Sequence, residues 1–138
     1  MRTRIVLYYD DGVSIHDDVI TWQTNVTANG GTYSDVDTNA LNDFMWAIDS
    51  FTSKFARLNL GIGTDLDACC TPQIYIDSNG GAYDTPVLYT DTDYSRVNGV
   101  YKVTPASFYK IRCGYIPSND ASMNINDNCM GIWSGGGL

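Results

Sequence analysis

Apolar and polar residues alternate most regularly between residues 14 and 63, where the pattern predicts two helices and a short strand. The apolar residues of the first helix follow one another at steps of four, three and four: Ile15, Val19, Trp22 and Val26. Ser14 is the predicted N-cap, with Asp17 at the reciprocal position of a capping box. Asn29-Gly30-Gly31 ends the helix, because Asn and Gly tolerate the left-handed conformation that closes one.

The second predicted helix begins after Ser34, whose hydroxyl can cap its first turn. Its predicted apolar stripe consists of Val36, Ala40, Leu41, Phe44, Ile48, Phe51 and Phe55. Met45 and Trp46 widen this stripe, so we expect the helix to be buried on more than one side. The link between the helices is short, which favours antiparallel packing. The alternation from Leu58 to Gly63 predicts a short strand.

The rest of the chain is rich in turn signals. Residues 1–13 predict an N-terminal strand or arm, and residues 64–98 predict a loop-rich connector with one helical turn begun by Asp65. Residues 99–138 hold short apolar runs broken by Gly, Pro and Asn, which favours a sandwich or a meander. The predicted fold class is α+β, with an antiparallel two-helix unit in residues 14–63 followed by a turn-rich antiparallel β region, a partial sandwich.

Three runs in the helical region carry a family resemblance: Ala28-Asn29-Gly30-Gly31-Thr32, Thr38-Asn39-Ala40-Leu41-Asn42-Asp43-Phe44 and Lys54-Phe55-Ala56-Arg57-Leu58-Asn59-Leu60. Together they resemble a segment found in structural and tail-fibre-like proteins of tailed bacteriophages and prophages. The resemblance implies that a laminin-G-like or concanavalin A-like β-sandwich follows, and residues 123–133 look like the early part of one. It implies a structural context and includes no catalytic signature.

The net charge of the chain limits the classes of molecule that it is expected to bind. The net charge is −8, and all sixteen acidic residues are aspartate. Nucleic acids and anionic membranes both require a basic patch, so neither is an expected partner. No stretch approaches the ~20 apolar residues of a membrane span, so membrane insertion is not expected.

The loops between residues 77 and 98 contain candidate ligand-binding side chains. Tyrosines can stack on sugar rings, and nearby carboxylates can accept hydrogen bonds from sugar hydroxyls. The candidate glycan-binding residues are Tyr83, Tyr89, Asp91, Asp93 and Tyr94. Asp77, Asn79 and Asp84 form a weak calcium candidate, although the residues at EF-hand positions five and twelve, Gly81 and Leu88, exclude an EF-hand.

Other chemistry has less support. Aspartates that lie close together in sequence, such as Asp65 and Asp67, could act as an acid–base pair in glycoside hydrolysis, but several aspartates are accounted for as helix caps. The four cysteines match no zinc spacing and are expected to be free and at least partly buried: Cys69, Cys70, Cys113 and Cys129. His16 lacks a recognisable catalytic partner. We therefore predict no catalytic residue, metal site or cofactor.

The resemblance implies a virion structural protein, assembled in the bacterial cytoplasm and associated with the phage tail or its fibres, and the absence of a catalytic motif predicts that it is non-enzymatic. Its expected partners are other copies of itself and other virion proteins, with Trp22, Phe44 and Trp46 as interface residues. One alternative is a capsid head-fibre or decoration protein. Another is a lectin-like module that binds host-surface glycans, and a glycan hydrolase is the third.

Overall fold

The computed structural model describes residues 14–87, 89–90, 94–95, 99–100 and 110–120. Its helices are α1 (Asp17–Ala28), α2 (Asp35–Ile48) and α3 (Leu66–Cys69), and 3-10 turns cover Asp49–Lys54 and Pro117–Asn119. Its strands are β1 (Thr85–Val87), β2 (Tyr94–Ser95), β3 (Gly99–Val100) and β4 (Lys110–Arg112). The described residues thus form a mixed α+β fold. The predicted arm, residues 1–13, lies outside them.

The N-cap of α1 is His16, and the prediction that Ser14 caps this helix is wrong. Nδ1 of His16 accepts a hydrogen bond from the backbone N–H of Asp18 at 3.1 Å. Ser14 instead contributes its backbone carbonyl, which accepts from the indole Nε1 of Trp46 at 2.9 Å. The residue before α1 is therefore held by α2, and the helix begins later than the sequence pattern indicated.

The N-terminus of α2 has the predicted cap. The Ser34 hydroxyl oxygen accepts from the backbone N–H of Asp37 at 3.2 Å, and the Asp37 carboxylate accepts from the backbone N–H of Ser34 at 2.9 Å. This reciprocal pair is a capping box, with Asp in the position that Glu more often occupies. It satisfies backbone donors that the first turn of a helix leaves free.

The two long helices pack antiparallel, as their short connection predicted. The backbone N–H of His16, before α1, donates to Oδ1 of Asn42 at 2.8 Å. Further along α1, Nε2 of Gln23 donates to the hydroxyl of Thr38 at 3.0 Å. Contacts that advance along α1 therefore move back along α2.

The core lies between these helices and the segments that follow them. Its buried apolar residues are Ile15, Val19, Trp22, Val26, Leu41, Met45, Leu58 and Ala68. The first four confirm the apolar stripe predicted for α1. Burial of these side chains is the main favourable term for the helix pair, because each fully buried large apolar side chain contributes about 1.5–3 kcal/mol.

The inward face of α2 differs from the predicted one. Its buried residues are Asp37, Thr38, Leu41, Asn42 and Met45. Of the predicted stripe, Leu41 is buried, whereas Val36, Ala40, Phe44 and Phe51 are exposed. Thr38 and Asn42 can be buried because α1 and the chain before it supply their hydrogen bonds. The expectation that α2 is buried on more than one side is therefore wrong.

Helix α3 closes one end of the helix pair. Asp65 caps it as predicted, because its Oδ1 accepts from the backbone N–H of Ala68 at 2.9 Å. The other carboxylate oxygen, Oδ2, accepts from the backbone N–H of Thr32 at 2.7 Å, which ties the turn between α1 and α2 to α3. The strand predicted from Leu58 to Gly63 is reduced to an isolated antiparallel bridge between Leu58 and Ile74.

The described strands form two antiparallel pairs. β1 pairs with β4, placing Thr85 opposite Arg112 and Val87 opposite Lys110. β2 pairs with β3, placing Tyr94 opposite Val100. Most of residues 99–138 lies outside the described residues, so the partial sandwich stays a prediction.

An ion pair and a backbone crossing hold the second half of the described chain in place. Nε of Arg57 donates to Oδ1 of Asp84 at 3.0 Å, and its Nη1 donates to the carbonyl of Gly81 at 3.0 Å. A Cβ on Gly80 would lie 2.7 Å from the carbonyl oxygen of Cys113. The chain segments therefore cross at a position where only hydrogen fits.

Candidate functional site

The main candidate site is an apolar surface on α2 that no described segment covers. It consists of Val36, Ala40, Phe44, Ala47 and Phe51, and we call it the outer face of α2. Val36 is 66% exposed, Phe44 38% and Phe51 60%. The first four follow one another at steps of four, four and three, which places them on one side of the helix. Phe51 follows in the 3-10 turn.

Hydrogen bonds on the opposite side explain why this surface faces outward. Asn42 accepts from the backbone of His16 and its Nδ2 donates to the carbonyl of Ser14, with an N···O distance of 3.4 Å. Rotating α2 to bury Phe44 would remove these bonds and expose Leu41 and Met45. The polar inner contacts therefore fix the orientation of the helix and leave an apolar surface that the described segments do not cover.

The three predicted interface residues occupy different environments. Trp22 is fully buried in the helical core, so its assignment to an intermolecular surface is corrected. Its indole Nε1 has no hydrogen-bond partner among the described residues, which marks it as a packing residue. Trp46 is half-buried and its ring meets His16 edge-on at 5.0 Å between centroids. Of these three residues, only Phe44 belongs to the outer face of α2.

The predicted glycan-binding residues do not form a single described surface. The Tyr83 hydroxyl donates to the carboxylate of Asp67, and the rings of Tyr83 and Tyr89 pack against a small cluster of Leu66, Cys69 and Cys70. These two rings therefore serve at least partly as packing. Only the backbone of Tyr94 is described, in β2, and Asp91 and Asp93 lie outside the described residues.

The calcium candidates have other partners. Asp84 is buried and ion-paired with Arg57, and its Oδ2 accepts from Nδ2 of Asn59. Asn79 is buried, and its amide binds the backbone of Ile116 through both its oxygen and its nitrogen. Asp77 is exposed. Within the described ranges, no group of three or more His, Cys or Asp side chains is arranged to hold a metal ion.

Two buried thiols adjoin α3. Burial raises the pKa of Cys69 to about 11, with a further contribution from the negative charge of Asp84. Burial also raises the pKa of Cys70 to about 12, followed by the effects of Cys69 and Asp84. Both are free and buried, as predicted, while Cys113 is free and exposed, contrary to the expectation of partial burial. Cys129 lies outside the described residues. The thiolate is the nucleophilic form, so Cys69 and Cys70 are poor nucleophiles at neutral pH.

The carboxylates considered for hydrolysis are engaged in local structure. Asp65 caps α3 and binds Thr32, and Asp67 accepts from Tyr83. His16 donates through Nε2 to Asp49 at 3.0 Å, because its Nδ1 already accepts from Asp18. These contacts explain the residues as caps and links between segments.

A shallow, open groove of about 360 Å³ lies beside α1. Its lining residues are Ile20, Gln23, Thr24, Thr27 and Tyr33. The lining has no charged side chain, and Gln23 is already bonded to Thr38. For these reasons the groove is a weaker candidate for a ligand-binding site than the outer face of α2 is for a docking surface.

Comparison of the chain with protein-family models, curated proteins and solved structures yields no match. Among the described helices, none combines the length and apolar character needed to cross a bilayer. The outer face of α2 was not recognised from sequence, because Val36, Ala40, Phe44 and Phe51 were assigned to a stripe that was expected to be buried. Phe44 was also predicted as an interface residue. The available signal was the excess of apolar residues around α2, which exceeds what one buried face can accommodate.

Proposed function

We propose that the chain is a non-enzymatic structural protein of a tailed-phage virion, associated with the tail or its fibres. It acts in assembly by docking through the outer face of α2 to copies of itself and to other virion proteins. The exposure of Val36 and Phe44 on α2, and of Phe51 in the 3-10 turn that follows it, carries the docking role. The attribution to a virion is supported by the resemblance of the three runs in residues 28–60.

The docking role follows from the cost of leaving this surface in water. Isolated exposed apolar residues are ordinary, but a contiguous set on one helix is typical of an interaction site. Covering it gains roughly 25 cal/mol for each Å² of apolar surface removed from water. The rigid inner side of α2, fixed through Asn42 and Thr38, allows this surface to dock without first rearranging.

The position on the particle is tested by immunogold electron microscopy of purified virions, using an antibody raised against residues 1–138. We expect label at the tail or its fibres. Label distributed over the head would replace this assignment with capsid decoration. Absence of label from both intact and disrupted particles would overturn the virion proposal.

The docking role is tested by incorporation of variants into particles. Phe44→Gln removes an apolar ring from the outer face of α2 and keeps a helix-forming residue. Asn39→Gln is the matched control, because Asn39 is exposed on the same helix outside that face. We expect Phe44→Gln to reduce incorporation and Asn39→Gln to leave it unchanged, with both proteins folded at the temperature of assembly as judged by circular dichroism. Equal incorporation would contradict the proposed docking surface.

A further inference from the structure

We propose that the partner of the outer face of α2 is the same face of a second copy, packed antiparallel across a two-fold axis. This inference rests on the proposed function, because it names the partner of the docking surface. It does not require the protein to belong to a virion. The observations that support it are the spacing of the apolar residues, the distribution of charge along α2 and the size of the surface.

The spacing is close to palindromic. Val36, Ala40, Phe44, Ala47 and Phe51 are separated by four, four, three and four residues. An antiparallel pair centred between positions 43 and 44 places Val36 opposite the second copy's Phe51, and Ala40 opposite the second copy's Ala47. In this register Phe44 lies opposite the second copy's Asp43, and the two Phe44 residues lie on either side of the axis, close to it.

Residue size also suits this register. The two alanines between larger residues let the helix axes approach to the ~8–10 Å of packed helices. Each large side chain at an end of the face is opposite a large side chain, and each small one is opposite a small one. Such self-complementarity is what a two-fold interface requires, since each patch must match itself.

Charge selects the antiparallel direction. Asp35 is exposed at the start of α2, and Lys54 is exposed at the end of the 3-10 turn that follows the helix. Antiparallel pairing brings the Asp35 end of each copy to the Lys54 end of the other. Parallel pairing would place like charges together at both ends, and it would also align the two helix dipoles unfavourably.

One charge opposes the pairing and supplies a specific test. Asp43 is exposed beside the outer face and lies at the centre of the register. The two-fold axis therefore brings the Asp43 carboxylates of the two copies to the same side of the interface. Removing this repulsion should strengthen a dimer of this geometry, whereas it has no such effect on most other arrangements.

The surface is small, so the isolated dimer should be weak. From Val36 to Phe51 the face spans about 24 Å, at about 1.5 Å per residue in α2 and about 2.0 Å per residue in the 3-10 turn. One helix face of this length buries less than the ~800 Å² per partner of a standard stable interface. We expect a dissociation constant on the order of 0.1 mM, which becomes effective when many copies are held close together in one assembly.

Sedimentation equilibrium of the full chain tests the proposal between about 10 μM and about 1 mM, a range that brackets this dissociation constant. The average mass should rise from the 15.2 kDa of one chain towards twice that value. Phe44→Gln should weaken association about tenfold, a loss of about 1.4 kcal/mol. Asn39→Gln should leave it unchanged.

Two charge variants test the geometry. Asp43→Asn should strengthen association several-fold. Lys54→Asp should weaken it, and the combined variant Asp35→Lys/Lys54→Asp should restore it, because the reversed charges again face one another. Circular dichroism and thermal unfolding of every variant establish that the fold is retained.

A chain that remains monomeric at 1 mM even as Asp43→Asn would overturn the proposal. A dimer that is insensitive to Phe44→Gln would also overturn it, because its interface must then lie elsewhere. Monomeric behaviour together with immunogold label on particles would remove this inference and leave the proposed function standing. Dimer formation without label on intact or disrupted particles would support this inference and overturn the virion proposal.

Discussion

Arg57 connects distant segments of the described chain through one buried side chain. Its guanidinium binds Asp84 and the carbonyl of Gly81, and both members of the ion pair are more than nine-tenths buried. The remaining carboxylate oxygen of Asp84 is occupied by Asn59. A buried charge is tolerated only when its hydrogen bonds are supplied in this way, so the loss of either partner leaves an uncompensated charge.

Arg57→Ala and Asp84→Asn should each lower the free energy of unfolding by about 3–5 kcal/mol. Lys54→Ala, a change at a nearby exposed cation, should alter it by less than about 0.5 kcal/mol. Urea denaturation followed by circular dichroism measures all three. A cost below about 1 kcal/mol for both buried substitutions would show that the pair is not desolvated as described.

The two buried thiols predict how stability changes with pH. The pKa of Cys69 is raised to about 11 and that of Cys70 to about 12, from an ordinary value of 9.0. A raised pKa in the folded state means that the unfolded chain loses these protons first. Stability is therefore fully present below pH 9 and falls between pH 9 and about 12, by at most about 1.4 kcal/mol per pH unit for each thiol.

Thermal unfolding between pH 8 and pH 11 checks this sign, a range in which the unfolded thiols ionise. The variant Cys69→Ala/Cys70→Ala should have a melting temperature that falls less steeply over this range than that of the parent chain. Tyrosine and lysine side chains also titrate there, so the difference between the two slopes is the relevant quantity. Equal slopes would contradict the raised pKa values.

Among the elements, the two long helices differ in how their N-termini are capped. Ser34 caps α2 through its side chain, whereas Ser14 contributes its backbone carbonyl, which accepts from Trp46 and Asn42. Local sequence predicted a serine cap in both places. Tertiary contacts changed the outcome at α1, where the imidazole of His16 acts as the cap.

Ser34→Ala should therefore destabilise the protein by about 1 kcal/mol, the usual effect of losing an N-cap side chain. Ser14→Ala should cost less than about 0.5 kcal/mol, because a backbone carbonyl survives the substitution. Chemical denaturation of the two variants provides the comparison. An equal or larger loss of stability for Ser14→Ala would show that the Ser14 side chain is the N-cap of α1.

The same contrast shows how far sequence periodicity predicted the elements. In α1 the buried residues are mainly apolar, so Val19, Trp22 and Val26 were identified by spacing alone. In α2 the inner face includes Thr38 and Asn42, whose burial depends on partners in α1 and before it. A pattern of apolar residues cannot reveal such partners, and it selected Val36, Phe44 and Phe51 instead. The outer face of α2 became recognisable only when the inner face was known.

For the whole molecule, contacts between distant residues hold the segment 110–120 against the loop at residues 77–81. Asn79 is an example, because its Oδ1 accepts from the backbone N–H of Ile116 at 2.7 Å and its Nδ2 donates to the carbonyl of Ile116 at 2.9 Å. The amide thereby replaces the partners that a neighbouring strand would provide. Next to it, the backbone crosses itself at Gly80 and Gly114.

Asn79→Ala should loosen the segment 110–120 without unfolding the helix pair. The amide of Ile116 loses its acceptor, so its hydrogen exchange should accelerate at least tenfold, corresponding to about 1.4 kcal/mol of local protection. Ser78→Ala, at the exposed neighbouring position, is the control. Equally fast exchange at Ile116 in both variants would show that the side-chain amide of Asn79 does not protect it. Accelerated exchange throughout α1 would show global destabilisation.

The outer face of α2 also has a consequence for how the sequence can vary. Folding places little demand on Val36 or Phe51 that a polar residue could not meet, since both side chains are mostly exposed. A library selected for folded protein alone should therefore accumulate polar residues at these positions, while Leu41 and Met45 stay apolar. If the proposed virion function is correct, the same library selected through production of infectious particles should retain apolar residues on both sides of the helix. The sequence would then carry a signature of assembly that selection for stability alone does not produce.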